Sequence, residues 1–255
     1  MTQTRRKFLS LATASVGAMT VLPYSVRAAG QAGDKFDGGR ITVHPVSHAS
    51  FVISTPVGTI YNDPVGGADK YSGFKKPDLI LITHQHGDHY KPDTLSAVVG
   101  DNTRIVANPA VHAMMSAELK SKSAEVGNGR SSKFKELGIE AIPAYNTTEG
   151  RLKFHPKGRD NGYVLNFSGF RVYISGDTED IPEMRKLKNI DLAFVCMNLP
   201  FTMDAKAAAS AVAEFKPKNV YPYHYRGRDG GTQDPAEFAK LVGGASEVKM
   251  AKWYG

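Results

Sequence analysis

Residues 78–89 read Asp-Leu-Ile-Leu-Ile-Thr-His-Gln-His-Gly-Asp-His, an apolar run followed at once by three histidines and an aspartate. The apolar run has the length of a strand that is buried on both faces. Imidazole and carboxylate groups are the ligands that zinc and other borderline divalent ions prefer. Because these side chains come directly after a buried strand, the stretch predicts a metal site at the end of that strand.

Further candidate ligands lie near the ends of later predicted strands. Asp177 follows a strand predicted at 171–175, and His224 follows a strand predicted at 219–222. His155 lies in a predicted loop between two strand-like segments. Each of these residues alone is typical of a turn or of a hydrogen-bonded structural residue. Together with residues 84–89, they indicate that carboxylate and imidazole groups meet at strand ends within one domain.

The rest of the chain alternates strand-like and helix-like runs. The pair Ser168-Gly169 marks a hairpin, and Asp204 and Asp234-Pro235 are typical helix starts. No linker interrupts residues 41–255, so the pattern predicts one domain of two packed sheets with outer helices, an α/β (α+β) fold. Besides 78–83, strands are predicted at 41–46, 50–54, 59–61, 104–107, 139–143, 163–167, 171–175, 191–196, 219–222 and 247–253, and helices at 109–120, at 204–215 and from 234 onward.

The first 28 residues predict an export signal. Arg5-Arg6-Lys7 precedes a mildly apolar segment at 9–22 and a small-residue stretch at 26–29, the three-part order of a secretory signal. Paired arginines followed by Phe-Leu resemble a twin-arginine signal. We therefore expect cleavage after Ala28, a periplasmic or otherwise exported protein without a stable membrane anchor, the twin-arginine export machinery as a partner, and a polar linker at 29–40.

Composition excludes several classes of protein. The 255 residues are 41% hydrophobic and 22% charged, which is too apolar for a disordered chain. No run of 18 strongly apolar residues is present, which excludes a polytopic membrane protein, and a single cysteine excludes an internal disulfide. The net charge is +7, of which residues 1–28 carry +4, so the mature chain has +3. This modest charge does not by itself imply a nucleic-acid partner.

These motifs resemble those of the metallo-β-lactamase-fold hydrolases. The resemblance rests on His-x-His-x-Asp-His at 84–89, a later histidine, Gly-Asp-Thr at 176–178 and a last histidine, and it covers about residues 41–255. It implies a four-layer αββα sandwich. Closer similarity to the branch of ascorbate-phosphate lactonase-like and N-acyl-phosphatidylethanolamine phospholipase-like proteins rests on His48-Ala49-Ser50, Asn62-Asp63-Pro64, Pro143-Ala144-Tyr145-Asn146 and Tyr-Pro-Tyr-His-Tyr at 221–225.

The resemblance implies two divalent metal ions, with zinc expected and manganese or iron(II) as alternatives. Asp177 would bridge the two ions. His155 is the expected last ligand of the first site, where the alternatives are Asn146, water or a weak site. The other implied ligands are His84 and His86 for the first ion, and Asp88, His89 and His224 for the second.

The same resemblance implies hydrolysis of a small-molecule ester, lactone, amide or phosphodiester by a water that two ions share and activate. Asp88 would orient that water or carry a proton. Four further residues are candidates for lining the site or supporting its ligands, with turn-forming, packing or solvent-exposed roles as the alternatives: His48, Asp63, Tyr223 and Arg226.

Two other functions remain open at this level. One is a metal-binding or sensing module that keeps the ligands without turnover, because the last ligand of the first site is ambiguous. The other is a nuclease, against which stand the export signal, the mature charge of +3 and the lack of a basic-aromatic groove.

Overall fold

Two seven-stranded mixed sheets form the centre of the protein in the computed structural model, which describes residues 33–254. The first sheet has the order β1 to β7 and the second has the order β14 to β8. The strands are β1 Asp34–Phe36, β2 Ile41–Ser47, β3 Ser50–Thr55, β4 Gly58–Asn62, β5 Leu79–Ile82, β6 Arg104–Ala107, β7 Ser123–Glu125, β8 Ser131–Phe134, β9 Leu137–Ala144, β10 Asp160–Phe167, β11 Phe170–Ile174, β12 Leu192–Cys196, β13 Asn219–Tyr223 and β14 Glu247–Val248.

Both sheets have the same internal pattern. In each, the first four strands along the chain pair antiparallel, and the last three pairings are parallel. Parallel strands need crossover connections, and helices supply most of them. The helices are α1 Pro92–Val98, α2 Pro109–Met114, α3 Ala117–Ser121, α4 Pro182–Arg185, α5 Ala205–Phe215 and α6 Pro235–Val242.

Strand β5 shows how the layers stack. Leu79 and Leu81 belong to the large core cluster that includes the second sheet, whereas Ile80 and Ile82 belong to a second cluster with residues of α1 to α3. Successive side chains of a strand point to opposite faces, so β5 is covered on both sides. Helices α4 to α6 contribute their buried side chains to the large cluster. The predicted four-layer αββα sandwich is confirmed.

Several elements differ from the sequence-based predictions. The helix predicted at 109–120 is two helices, because Met115 has extended backbone and the Ser116 hydroxyl accepts from Leu119 N–H to start a new helix. The strand predicted at 247–253 is limited to Glu247–Val248. The linker predicted at 29–40 overlaps the fold, since β1 pairs antiparallel with β2. Helices α1 and α4 and strands β7 and β8 were not predicted.

The N-terminal prediction lies outside the described residues. The export signal at 1–28, its cleavage site and residues 29–32 precede Gly33, where the described part begins. Within residues 33–254, no helix is both long and apolar enough to cross a membrane.

Candidate metal centre

The candidate ligands lie at one end of the two sheets. His84 comes two residues after β5, Asp177 three residues after β11, and His224 directly after β13. Gly176 positions the backbone of Asp177. The φ angle of Gly176 is +61°, and a Cβ atom on Gly176 would lie only 2.5 Å from the Asn161 carbonyl oxygen, so no residue with a side chain fits at position 176. The carboxyl ends of parallel strands thus bring together residues that are far apart in the sequence.

Three imidazoles form the first group of donors. His84 Nε2 lies 3.1 Å from His86 Nδ1. One ring nitrogen from each of His84, His86 and His155 lies within 4.8 Å of the other two. Asp177 Oδ2 lies 3.5 Å from His155 Nε2 and 3.9 Å from His84 Nε2. The structure therefore brings His155 to the first group. Asn146 instead donates through Nδ2 to the Phe201 carbonyl oxygen at 2.8 Å.

Asp88 and two further imidazoles, those of His89 and His224, form the second group of donors around the same carboxylate. His224 Nε2 is 3.5 Å from Asp177 Oδ2, and His89 Nε2 is 3.3 Å from Asp177 Oδ1. Asp88 Oδ2 lies 3.3 Å from His224 Nε2 and 3.9 Å from His89 Nε2. His48 Nε2 is also 3.3 Å from Asp88 Oδ2. Asp177 is thus shared by both groups of donors.

The donor atoms fit divalent metal ions. Zinc–nitrogen distances of about 2.0–2.1 Å in a tetrahedral site place neighbouring ligand atoms about 3.3 Å apart, close to the separations found here. Three of these atoms are buried without a hydrogen-bond partner: His89 Nε2, His155 Nε2 and Asp177 Oδ1. Buried polar atoms are rarely unpartnered in proteins. Bound cations would supply the missing partners of these three atoms.

Electrostatics also favours cation binding. Burial lowers the pKa of His84 well below its usual value, so its ring is a neutral ligand at pH 7. Burial opposes the charged form of Asp177, but the neighbouring His224 and His89 hold its pKa well below the usual range. Burial likewise opposes a charge on His89, yet the carboxylates of Asp177 and Asp88 raise the pKa of His89 well above its usual value. A cation near His89 would therefore displace a proton.

A family model described as a β-lactamase superfamily domain matches residues 42–224. The chain belongs to the metallo-β-lactamase superfamily. The match includes every donor of both groups, from His84 to His224, as well as His48. Membership agrees with the two packed sheets and with the position of the donors at their ends.

Relatives within this superfamily are similar over most of the chain. A metal-dependent hydrolase of Pyrococcus furiosus is 32% identical over 74% of this chain and 84% of its own length. One from Thermococcus kodakarensis is 30% identical over 82% of this chain and 95% of its own length. A crystal structure of a candidate metal-dependent hydrolase from Parabacteroides distasonis is 42% identical, with a TM-score of 0.75, over 85% of this chain and 96% of that one.

Carboxylates behind the ligands orient two of the histidines. Asp63 Oδ2 accepts a hydrogen bond from His89 Nδ1 at 2.8 Å, and Asp160 Oδ2 accepts one from His155 Nδ1 at 2.9 Å. Thr83 ties Asp63 in place, because its backbone N–H and its hydroxyl donate to the two oxygens at 2.8 and 2.7 Å. Such bonds fix the tautomer in which Nε2 is free to bind a metal.

Three residues at the site adopt left-handed backbone conformations. The φ angles are +54° for His48, +42° for Asp63 and +50° for His224. Such conformations cost roughly 1–3 kcal/mol each for residues other than glycine, and they cluster at functional sites. Here they turn the chain at the ends of strands and bring these side chains toward the donor groups.

The other predicted site residues lie in different surroundings. Tyr223 is fully buried among aromatic rings, and its hydroxyl is 3.5 Å from the Gly176 carbonyl oxygen. Arg226 is exposed, and its guanidinium lies 4.1 Å from the centre of the Tyr254 ring. Three contributors were missed: Thr83, Asp160 and Tyr254. Of the three, only Asp160 had a signal in the sequence, because a carboxylate five residues after His155 is close enough along the chain to support that histidine.

Replacing Asp63 by asparagine is expected to weaken metal binding about 10- to 100-fold in the second group alone. The amide loses the negative charge that orients His89. Asp160→Asn is the matched variant, which should weaken the first group instead because it releases His155. Competition titration against a chromogenic chelator measures both steps. Unchanged affinity of both metal equivalents in Asp63→Asn would contradict the role of Asp63, once circular dichroism shows a native fold.

Proposed function

We propose that this protein is an exported hydrolase with two divalent metal ions, zinc by preference and manganese or iron(II) as alternatives. Its substrate would be a small molecule with an ester, lactone, amide or phosphodiester bond. The observation that carries the proposal is the buried carboxylate of Asp177, which lies within 3.5 Å of donors in both groups. Export through the twin-arginine route is supported by the sequence of residues 1–28.

When bound, the two ions would lower the pKa of a water toward neutrality and polarise the bond to be cleaved. The protein's own residues would position and deprotonate the reactants. Asp177 is 4% exposed in its side chain and serves as a fixed ligand, whereas Asp88 is 49% exposed and reaches the solvent side. Asp88 is therefore the carboxylate proposed to orient the attacking water and receive its proton.

A nucleophilic side chain is not needed for this reaction. Cys196, the chain's single cysteine, is fully buried, and burial raises the pKa of its thiol to about 12. Its Sγ donates to the Thr178 carbonyl oxygen at 3.4 Å. A protonated, buried thiol of this kind is a packing residue and cannot attack a substrate.

Two exposed arginines in the loop that follows His224 favour an anionic substrate. Arg226 follows His224 by two residues and is exposed, and its guanidinium lies over the ring of Tyr254, whose hydroxyl contacts His48. Arg228 lies in the same loop as Arg226, and its guanidinium is 6.0 Å from the centre of the Phe201 ring. Guanidinium groups pair well with phosphate and carboxylate. We propose a phosphate- or carboxylate-bearing substrate, in keeping with the resemblance to the ascorbate-phosphate lactonase-like and N-acyl-phosphatidylethanolamine phospholipase-like branch.

The test is a panel of chromogenic esters, lactones, anilides and phosphodiesters, each in a neutral and an anionic form. Metal-free protein and protein reloaded with zinc, manganese or iron(II) are compared. We expect saturable turnover of one bond class, lost in the metal-free sample and faster with the anionic form. Metal-loaded protein that cleaves none of these bonds would favour a metal-binding module without turnover.

A further inference from the structure

The last residues of the described chain are packed against the candidate metal centre. His48 N–H donates to the Trp253 carbonyl oxygen at 3.1 Å, and the His48 carbonyl oxygen accepts from His224 N–H at 3.3 Å. Trp253 is 1% exposed and packs edge-on against Phe51 and Phe194 between the two sheets. His48 thus links the C-terminal segment to a candidate ligand.

The His48 ring connects Tyr254 with Asp88. Its Nδ1 lies 2.7 Å from the Tyr254 hydroxyl, and its Nε2 lies 3.3 Å from Asp88 Oδ2. The ring also lies against that of His224, with 3.7 Å between centroids. A ring nitrogen of His48 is close enough to the donor atoms of Asp88 and His224 to bind the same metal ion, so the position of His48 by itself is compatible with two roles. Nε2 could bind a metal directly, or it could carry a proton and donate to Asp88.

The hydrogen bonds of Tyr254 decide between these roles. Its hydroxyl oxygen accepts the backbone N–H of Arg226 at 3.1 Å, and the Asp88 carboxylate, 3.3 Å from His48 Nε2, can only accept a hydrogen bond from that ring. The hydroxyl proton is then left for His48 Nδ1. Burial raises the pKa of Tyr254 to about 12, so that proton is present at neutral pH. A neutral imidazole that accepts at Nδ1 carries its own proton on Nε2.

We propose that Tyr254 and His48 are positioning residues for Asp88. Tyr254 holds His48 in the tautomer with the proton on Nε2, and His48 donates that proton to Asp88 Oδ2. His48 is consequently not a metal ligand, although it lies beside two of them. The effect on turnover rests on the proposed function, in which Asp88 orients the attacking water. The tautomer and the metal count do not depend on it.

The test uses the zinc-loaded full chain with ¹⁵N-labelled histidine. Two-bond ¹H–¹⁵N correlations show which ring nitrogen of His48 is protonated. We expect Nε2–H in the native protein and in Tyr225→Phe, the matched control, whose ring packs 4.9 Å from that of Tyr254. In Tyr254→Phe we expect loss of the Nε2–H preference, two zinc ions retained, and a kcat lowered about tenfold with KM nearly unchanged.

A second variant tests the ligand alternative. Asparagine tolerates left-handed backbone, so His48→Asn keeps the turn at φ +54° while removing the ring. We expect this variant to retain both zinc ions. Loss of one zinc ion in His48→Asn, or an unprotonated, zinc-bound Nε2 in the native protein, would overturn the proposal. So would a Tyr254→Phe protein in which His48 keeps the native preference for Nε2–H. These results are readable even if no substrate is found.

Discussion

Replacing Asp177 by asparagine is expected to lower kcat/KM by about three orders of magnitude, equivalent to about 4 kcal/mol of transition-state stabilisation. The carboxylate is buried and lies between two groups of imidazole donors. An amide of the same shape has one oxygen and no charge, so it cannot serve both groups. Steady-state kinetics on the best substrate of the panel measures the loss.

Asp180→Asn is the matched control for Asp177→Asn. Asp180 lies three residues further along the chain and forms an ion pair with Arg185, away from the donor groups. This variant should retain native kcat/KM. Circular dichroism should show the native fold for both variants. Native turnover in Asp177→Asn would exclude Asp177 from the reaction and with it the proposed two-metal site.

Removing the metal is expected to abolish turnover and to lower the thermal midpoint by about 5–10 °C. Ligands that bind only the native state stabilise it by about 2.7 kcal/mol at one hundred times their Kd, and a chain of this size loses about 2–4 °C per kcal/mol. Without cations, the buried Nε2 atoms of His89 and His155 have no partner. Calorimetry of protein dialysed against a chelator measures the shift.

Two comparisons separate loss of metal from damage to the protein. Addition of zinc after dialysis should restore both the midpoint and the turnover. Addition of magnesium should restore neither, because magnesium prefers oxygen ligands to the imidazoles of this site. A midpoint that is the same with and without chelator would show that the donor groups hold no metal in the native protein.

Local sequence patterns predict the central strands of both sheets and the candidate donors that follow them. Strand β5 is predicted by four consecutive apolar residues, and the histidines after it are recognisable by type and spacing. Asp177 and His224 are predicted because each follows a predicted strand and because Gly-Asp-Thr and a last histidine match the motifs of the family that the chain resembles. These features are local in the chain, so a pattern of neighbouring residues carries them.

The missed features depend on contacts between distant residues. Asp160 acts through a 2.9 Å bond to His155, and its sequence neighbourhood is that of an ordinary strand start. Tyr254 reaches His48 across 206 positions. Strand β1 has three residues and is stabilised by pairing with β2, so its sequence alone resembles a linker. In each case the fold determines which residues are buried and which residues they contact, and these contacts outweigh the structural preference of the local sequence.

The two donor groups are proposed to hold two metal ions that share Asp177. The most direct measurement is the metal content per chain, by elemental analysis of protein purified without added metal. We expect about two equivalents of zinc, manganese or iron per chain. One equivalent or none would contradict the two-metal site.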